Sequence, residues 1–168
     1  MSVSIKIDHS QIDQISKQIV RSLSTMRRAF AVVGEMAITE VHGNFDEQGR
    51  PHRWAKLADT TLFAKIGGSR GYTKKGALRA KSKRVLAKNK ILTDTATLRR
   101  SISRSLGPDF VDIGTNVVYA ARHNFGYEGG TGRGRSRTPQ REFMVFSEGM
   151  IERAHKVLGD YVFGARNG

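Results

Sequence analysis

His42 and His52 bracket a loop that also carries Asp46 and Glu47, so four possible metal donors fall within eleven positions. Coordination needs donors that converge, at spacings that zinc sites and their relatives keep. None of those spacings is met, and surface histidines are expected. His123-Asn124 supplies a further histidine, and a small metal-dependent nuclease would draw on His42, His52 and His123. His123 stands in an apolar stretch with no acid beside it, which predicts a partly buried histidine with its hydrogen bonds satisfied. Gly67-Gly68-Ser69-Arg70-Gly71 and Gly130-Thr131-Gly132-Arg133-Gly134 are glycine-rich. A phosphate cradle also needs an apolar strand before the glycines and a Gly-Lys-Ser/Thr ending. Both segments lack these and read as flexible linkage. Asp59, Asp94, Asp109 and Asp112 stand apart, with no nucleophile–base pattern around them. The sequence therefore predicts no catalytic residue, no metal and no cofactor.

The strongest chemical signal is cationic. Lys65, Arg70, Lys74, Lys75, Arg79, Lys81, Lys83, Arg84, Lys88 and Lys90 fall between residues 65 and 90, a stretch without Asp or Glu and broken by Gly67, Gly68, Gly71 and Gly76. Like charges repel and glycines resist packing, which predicts an extended arm or long loop. Residues 126–140 form a second Gly-rich loop that carries Arg133, Arg135 and Arg137. Cations that neutralise phosphates release condensed counterions, and the same cations suit an acidic protein face. Lys74, Lys75, Arg79, Lys81, Lys83, Arg84, Lys88, Arg133, Arg135 and Arg137 are accordingly the expected contacts to nucleic acid or to an acidic partner, with both open. Phe63 and Tyr72 are few aromatics for a base-stacking platform.

These segments need a body to hold them. Residues 2–8 alternate polar and apolar, the period of an edge strand. Ile12, Ile15, Ile19, Leu23, Met26, Phe30, Val33, Ala37 and Val41 step by three or four, which predicts one long helix over 10–44, bent near Gly34. Gly43 to Pro51 breaks it, and Trp54 is expected to pin the following loop onto the core. Asp94 or Thr95 can cap a short helix carrying Leu98. Ile102 to Leu106, a Gly107-Pro108-Asp109 turn and Phe110 to Gly114 read as a β-hairpin. Val117 to Phe125 is apolar enough to be buried and turns helical near Tyr119, with Gly126 as its C-cap. Phe143, Val145, Phe146, Met150, Ile151, Ala154, Val157 and Leu158 predict a C-terminal helix over 141–163. The result is a single α+β domain over 1–168, with a long N-terminal helix, a small antiparallel sheet, a C-terminal helix and two long basic Gly-rich loops.

The bulk numbers agree with a modest core and a polyanionic partner. The chain has 168 residues, 38% hydrophobic, with 29 Lys+Arg against 15 Asp+Glu for a formal charge of +14. Without cysteines there is no disulfide, thiolate metal site or cysteine nucleophile, which fits a protein made in a reducing cytoplasm. No basic-then-apolar leader or long apolar run is present, so neither a signal peptide nor a membrane span is expected.

Four groups of residues, in order, resemble the phage virion morphogenesis family of tail-completion proteins. They are Phe45, Gly49, Pro51, Trp54, Leu57 and Thr60-Thr61; Ile91-Leu92, Leu98-Arg99 and Ser101-Ile102; Val111 to Asn116, Tyr119-Ala120 and His123-Asn124-Phe125-Gly126; and Pro139, Arg141, Phe143 and Met144. The resemblance covers roughly residues 40 to 150. Two positions depart from the family pattern. Ala96 replaces the glycine before the Leu-Arg pair, and Glu142 replaces a proline, where an acid suits a helix N-terminus. The resemblance implies a non-enzymatic virion protein without cofactor: a ring subunit, six copies around the tail axis, at the neck between head and tail. Its partners would be itself, the adjoining connector, tail terminator or tail tube proteins, and genomic DNA in the channel. The charge alone offers an alternative, a basic DNA-binding protein of phage or host.

Overall fold

The computed structural model describes residues 10–24, 26–129 and 136–163. It is α+β, with helices predominating and strands confined to two two-stranded sheets. The helix expected over 10–44 is two helices, α1 (Ser10–Ser24) and α2 (Met26–Asp46). Thr25 between them, like the strand expected over 2–8, lies outside the described residues. Short helices α3 (Asp59–Lys65), α4 (Ala80–Ala87) and α5 (Thr97–Arg100) follow, then strands β1 (Ser103–Leu106) and β2 (Val111–Gly114). Helix α6 (Ala120–Phe125) precedes β3 (Tyr127–Gly129) and β4 (Ser136–Thr138), and α7 (Glu148–Phe163) is the last element.

The packing forms two compact units. The first comprises residues 1–38, 104–113 and 146–168. Within it α1 packs on α7, and Ala29, Ala37, Met150 and Ala154 are buried. Helix α2 runs through Gly34, where a Cβ would stand 2.9 Å from both Arg104 Cδ and Val111 Cγ2. The missing side chain is therefore what lets the hairpin lie against the helix. Arg104 closes the contact with a 2.9 Å ion pair to Glu35 and a hydrogen bond to the Ala31 carbonyl. The hairpin itself is where alternation and the turn placed it. The Gly107 N–H donates to the Phe110 carbonyl across the turn.

The second unit, residues 39–103 and 114–145, has an aromatic centre. Phe45 meets Trp54 edge-on at 5.5 Å and Phe143 at 5.3 Å. Each such side chain contributes about 1.5–3 kcal/mol on burial. Trp54 pins its loop as expected, its Nε1–H donating to the Glu142 carbonyl at 2.9 Å. Around this centre run polar clamps on an extended segment. Asn44 donates to the carbonyls of Phe143 and Val145, both at 2.9 Å. Asn124 Oδ1 accepts from the N–H groups of Phe143 and Met144. Buried Arg141 donates to the carbonyls of Ala55 and Lys56.

Those clamps correct the C-terminal expectation. Helix α7 starts at Glu148, not 141, because the backbone of 141–145 is bonded sideways to Asn44, Asn124 and His123 instead of along a helix. Glu142 therefore does not sit at a helix N-terminus; Ser147 Oγ accepts the Met150 N–H there. The short helix α5 is also capped differently. Neither Asp94 nor Thr95 occupies the N-cap, which is Ala96 at φ 56°, with no side-chain cap.

Candidate functional site

The basic stretch 65–90 is not a bare arm. Its first turn, Gly68–Gly71, is a 3-10 helix; Tyr72 and Leu78 pair as a small antiparallel bridge, and α4 follows. Buried Gly71 is the hub. A Cβ there would come within 2.8 Å of Ile66, and its carbonyl accepts both the Arg79 N–H and the buried Ser82 hydroxyl. Like-charge repulsion between exposed helix neighbours amounts to a few tenths of a kcal/mol per pair. One buried hydroxyl bond and the packing of Ile66 offset that.

This folding sorts the expected contact residues. Lys74 and Lys75 stand in the tight turn between Tyr72 and Leu78, closed by the Thr73 N–H to the Ala77 carbonyl at 2.7 Å. Arg79 is exposed and donates through Nε to the Tyr72 carbonyl. On α4, Lys81, Arg84, Val85 and Lys88 share one face by their three- and four-residue spacing, and Lys83 is on the opposite side. Lys81, Arg84, Val85 and Lys88 line a groove of about 660 Å³, closed on its other side by Thr93, Asp94, Ala96 and Arg99. Lys65 pairs with Asp94 at 2.9 Å, and Arg99 pairs with Asp46 at 2.8 Å. Asp94, the carboxylate across the groove, is taken by Lys65, and Lys81, Arg84 and Lys88 form no ion pair among the described residues.

The second basic loop is flanked by a strand pair. Strands β3 and β4 are antiparallel, with Glu128 opposite Arg137, and the two side chains form a 2.8 Å ion pair. Arg137 is thus engaged within the chain. Arg133 and Arg135 lie outside the described residues. Phe63 and Tyr72, the aromatics of the basic stretch, pack on each other at 6.3 Å.

The histidines do not assemble a metal centre. Among the described residues no three His, Cys, Asp or Glu side chains converge. His42 Nε2 is 3.2 Å from the Arg99 carbonyl, and the Asp46 carboxylate is held by Arg99 and Lys90. His123 departs from the satisfied histidine expected: its Nδ1 is buried without a hydrogen-bond partner. Burial, then the charges of Arg141 and Arg122, hold its pKa below the ordinary histidine value.

Sequence reasoning missed the apolar surface around α6. That segment was expected to be buried, yet only Ala120 and Asn124 turn inward. Val118 is 97% exposed and Phe125 is 73% exposed. They border a depression of about 360 Å³ that includes Val117, Ala121, Phe143 and Met144. The four-residue step between Ala120 and Asn124 was the available signal, since it leaves positions 118 and 125 off the buried face. Next to it, the Arg122 guanidinium lies 4.0 Å over the Tyr127 ring.

Several of the residues that carry the resemblance are therefore structural. Phe45, Trp54, Leu98, Asn124, Arg141 and Phe143 build or clamp the core of the second unit. No curated protein and no solved structure matches the chain. The sequence profile of the phage virion morphogenesis family matches residues 7–162, nearly the whole length, and the chain belongs to that family.

Proposed function

We propose that the chain is a structural subunit of the tail-completion or neck ring at the head–tail joint of a phage particle, and not an enzyme. The observation that carries this reading is the exposed apolar surface at Val118 and Phe125 in a member of a virion morphogenesis family. Apolar patches left in water mark surfaces that another protein covers. Six copies around the tail axis, adjoining connector and terminator or tail tube proteins, would supply that cover. Genomic DNA in the channel is a further neighbour for the exposed cations. Immunogold electron microscopy of purified particles is the direct test. Label at the neck is the expected result, and particles free of the protein overturn the reading.

The seven exposed cations of 74–88 favour a second reading, a DNA-binding protein of phage or host. That reading expects retention on duplex DNA that falls steeply with salt. No retention at low salt eliminates it.

A further inference from the structure

The groove beside α4 has a definite pattern. Lys81, Arg84 and Lys88 are exposed, without carboxylate partners among the described residues, and flank Val85, which is 36% exposed. Seven helical residues span roughly 10 Å. Phosphate backbones match cations but offer nothing apolar to a floor made by Val85 and Ala96. An occupant with two anionic groups about that far apart, and an apolar group between them, matches both features.

The chain carries such an element. Asp109, Phe110 and Asp112 at the tip of the β1–β2 hairpin are exposed, and neither aspartate has a partner among the described residues. Asp109 stands in the turn, Phe110 follows it, and Asp112 is in β2, so two carboxylates and an aromatic ring lie within four consecutive positions. The Phe110 ring covers Gly107 on one face and remains 47% exposed. No cation lies between residues 105 and 114. Glu148 and Glu152 also flank an exposed apolar residue, Ile151, but Arg153, His155 and Lys156 crowd the same turns and offset their charge.

We propose that the groove receives the hairpin tip of a second copy of this chain, with Asp109 and Asp112 on Lys81, Arg84 and Lys88 and Phe110 against Val85. Two different surfaces meet in such a contact, the kind that generates rings when the rotation closes. It also gives copies of a chain with a formal charge of +14 a local attraction that their overall repulsion opposes. The inference rests on the reading that copies assemble.

Native mass spectrometry of the full chain, at fixed concentration and moderate salt, tests it. Reversal of the groove (K81E/R84E/K88E) or of the tip (D109K/D112K) is expected to lower the assembled fraction at least tenfold, and the combined variant is expected to restore it. The control K56E/R100E/K156E removes the same charge at exposed positions outside the groove and is expected to assemble like wild type. Groove reversal lowers the net charge, so general repulsion cannot explain its loss of assembly. Restoration by the combined variant also shows that the single-sided variants fold. A monomeric wild type overturns both this inference and the assembly reading. An assembling wild type whose groove reversal assembles equally well overturns this inference alone. So does a combined variant that stays monomeric, or groove reversal that abolishes only retention on duplex DNA.

Discussion

Asn124 shows what the most recognisable residues of the chain do. Its Oδ1 serves two backbone donors, Phe143 at 3.1 Å and Met144 at 2.9 Å, in a segment with no secondary structure of its own. Asn124→Ala strands both N–H groups, and each buried unmet donor costs about 1–3 kcal/mol. A loss of about 2–4 kcal/mol in urea unfolding is expected, and a change below about 1 kcal/mol would mean the segment re-bonds elsewhere. His123, one residue earlier, makes a different prediction. Burial first, and then the Arg141 and Arg122 charges, depress its folded pKa. The unfolded chain then binds the proton more readily. Stability is full above the unfolded value of about 6.5 and falls as pH drops below it, until the folded value is passed. Urea midpoints measured from pH 7.5 to 5.5 should decline for wild type, and His123→Gln should flatten that decline.

At the scale of elements, Ala96 occupies a backbone region that glycine enters freely, φ 56°, directly before α5. The resemblance has a glycine at this position, which would take that φ without strain, whereas the alanine is strained there. Ala96→Gly is expected to stabilise the chain by about 0.5–1 kcal/mol, seen as a rise of a few degrees in Tm. A fall in Tm would show that the strain is absorbed elsewhere. Local pattern made the β1–β2 hairpin, α5 and the Gly126 cap legible, because alternation, turn residues and a glycine at φ 76° act over a few positions. Helix α4 is legible in principle, since Ala80, Lys81, Arg84, Leu86 and Ala87 favour helix, but the surrounding block of like charges and glycines masks that propensity. The start of α7 was not legible. Phe143 and Phe146 keep helical spacing, and what takes the carbonyls of Phe143 and Val145 out of a helix is Asn44, about a hundred residues away.

For the whole molecule, part of the family resemblance is spent on the interior of the second unit, in Phe45, Trp54, Leu98, Asn124, Arg141 and Phe143, while the cations of α4, the hairpin tip and the apolar rim of α6 face outward. Phe125 is the most exposed large apolar residue of the resemblance, at 73%, ahead of Tyr119 at 45%. Packing among the described residues gives no reason for phenylalanine there, whereas the neighbour proposed at the neck would. Val118, almost wholly exposed, has still less part in the fold. Val118→Ser with Phe125→Ser should therefore shift the unfolding free energy by no more than about 1 kcal/mol, the scale of surface changes. The same pair should exclude the protein from particles when it replaces wild type during infection, as read by the protein content of gradient-purified virions. A variant that folds and is still incorporated at the normal level would mean that α6 faces solvent in the particle as well. One that unfolds would mean that these side chains serve the fold after all.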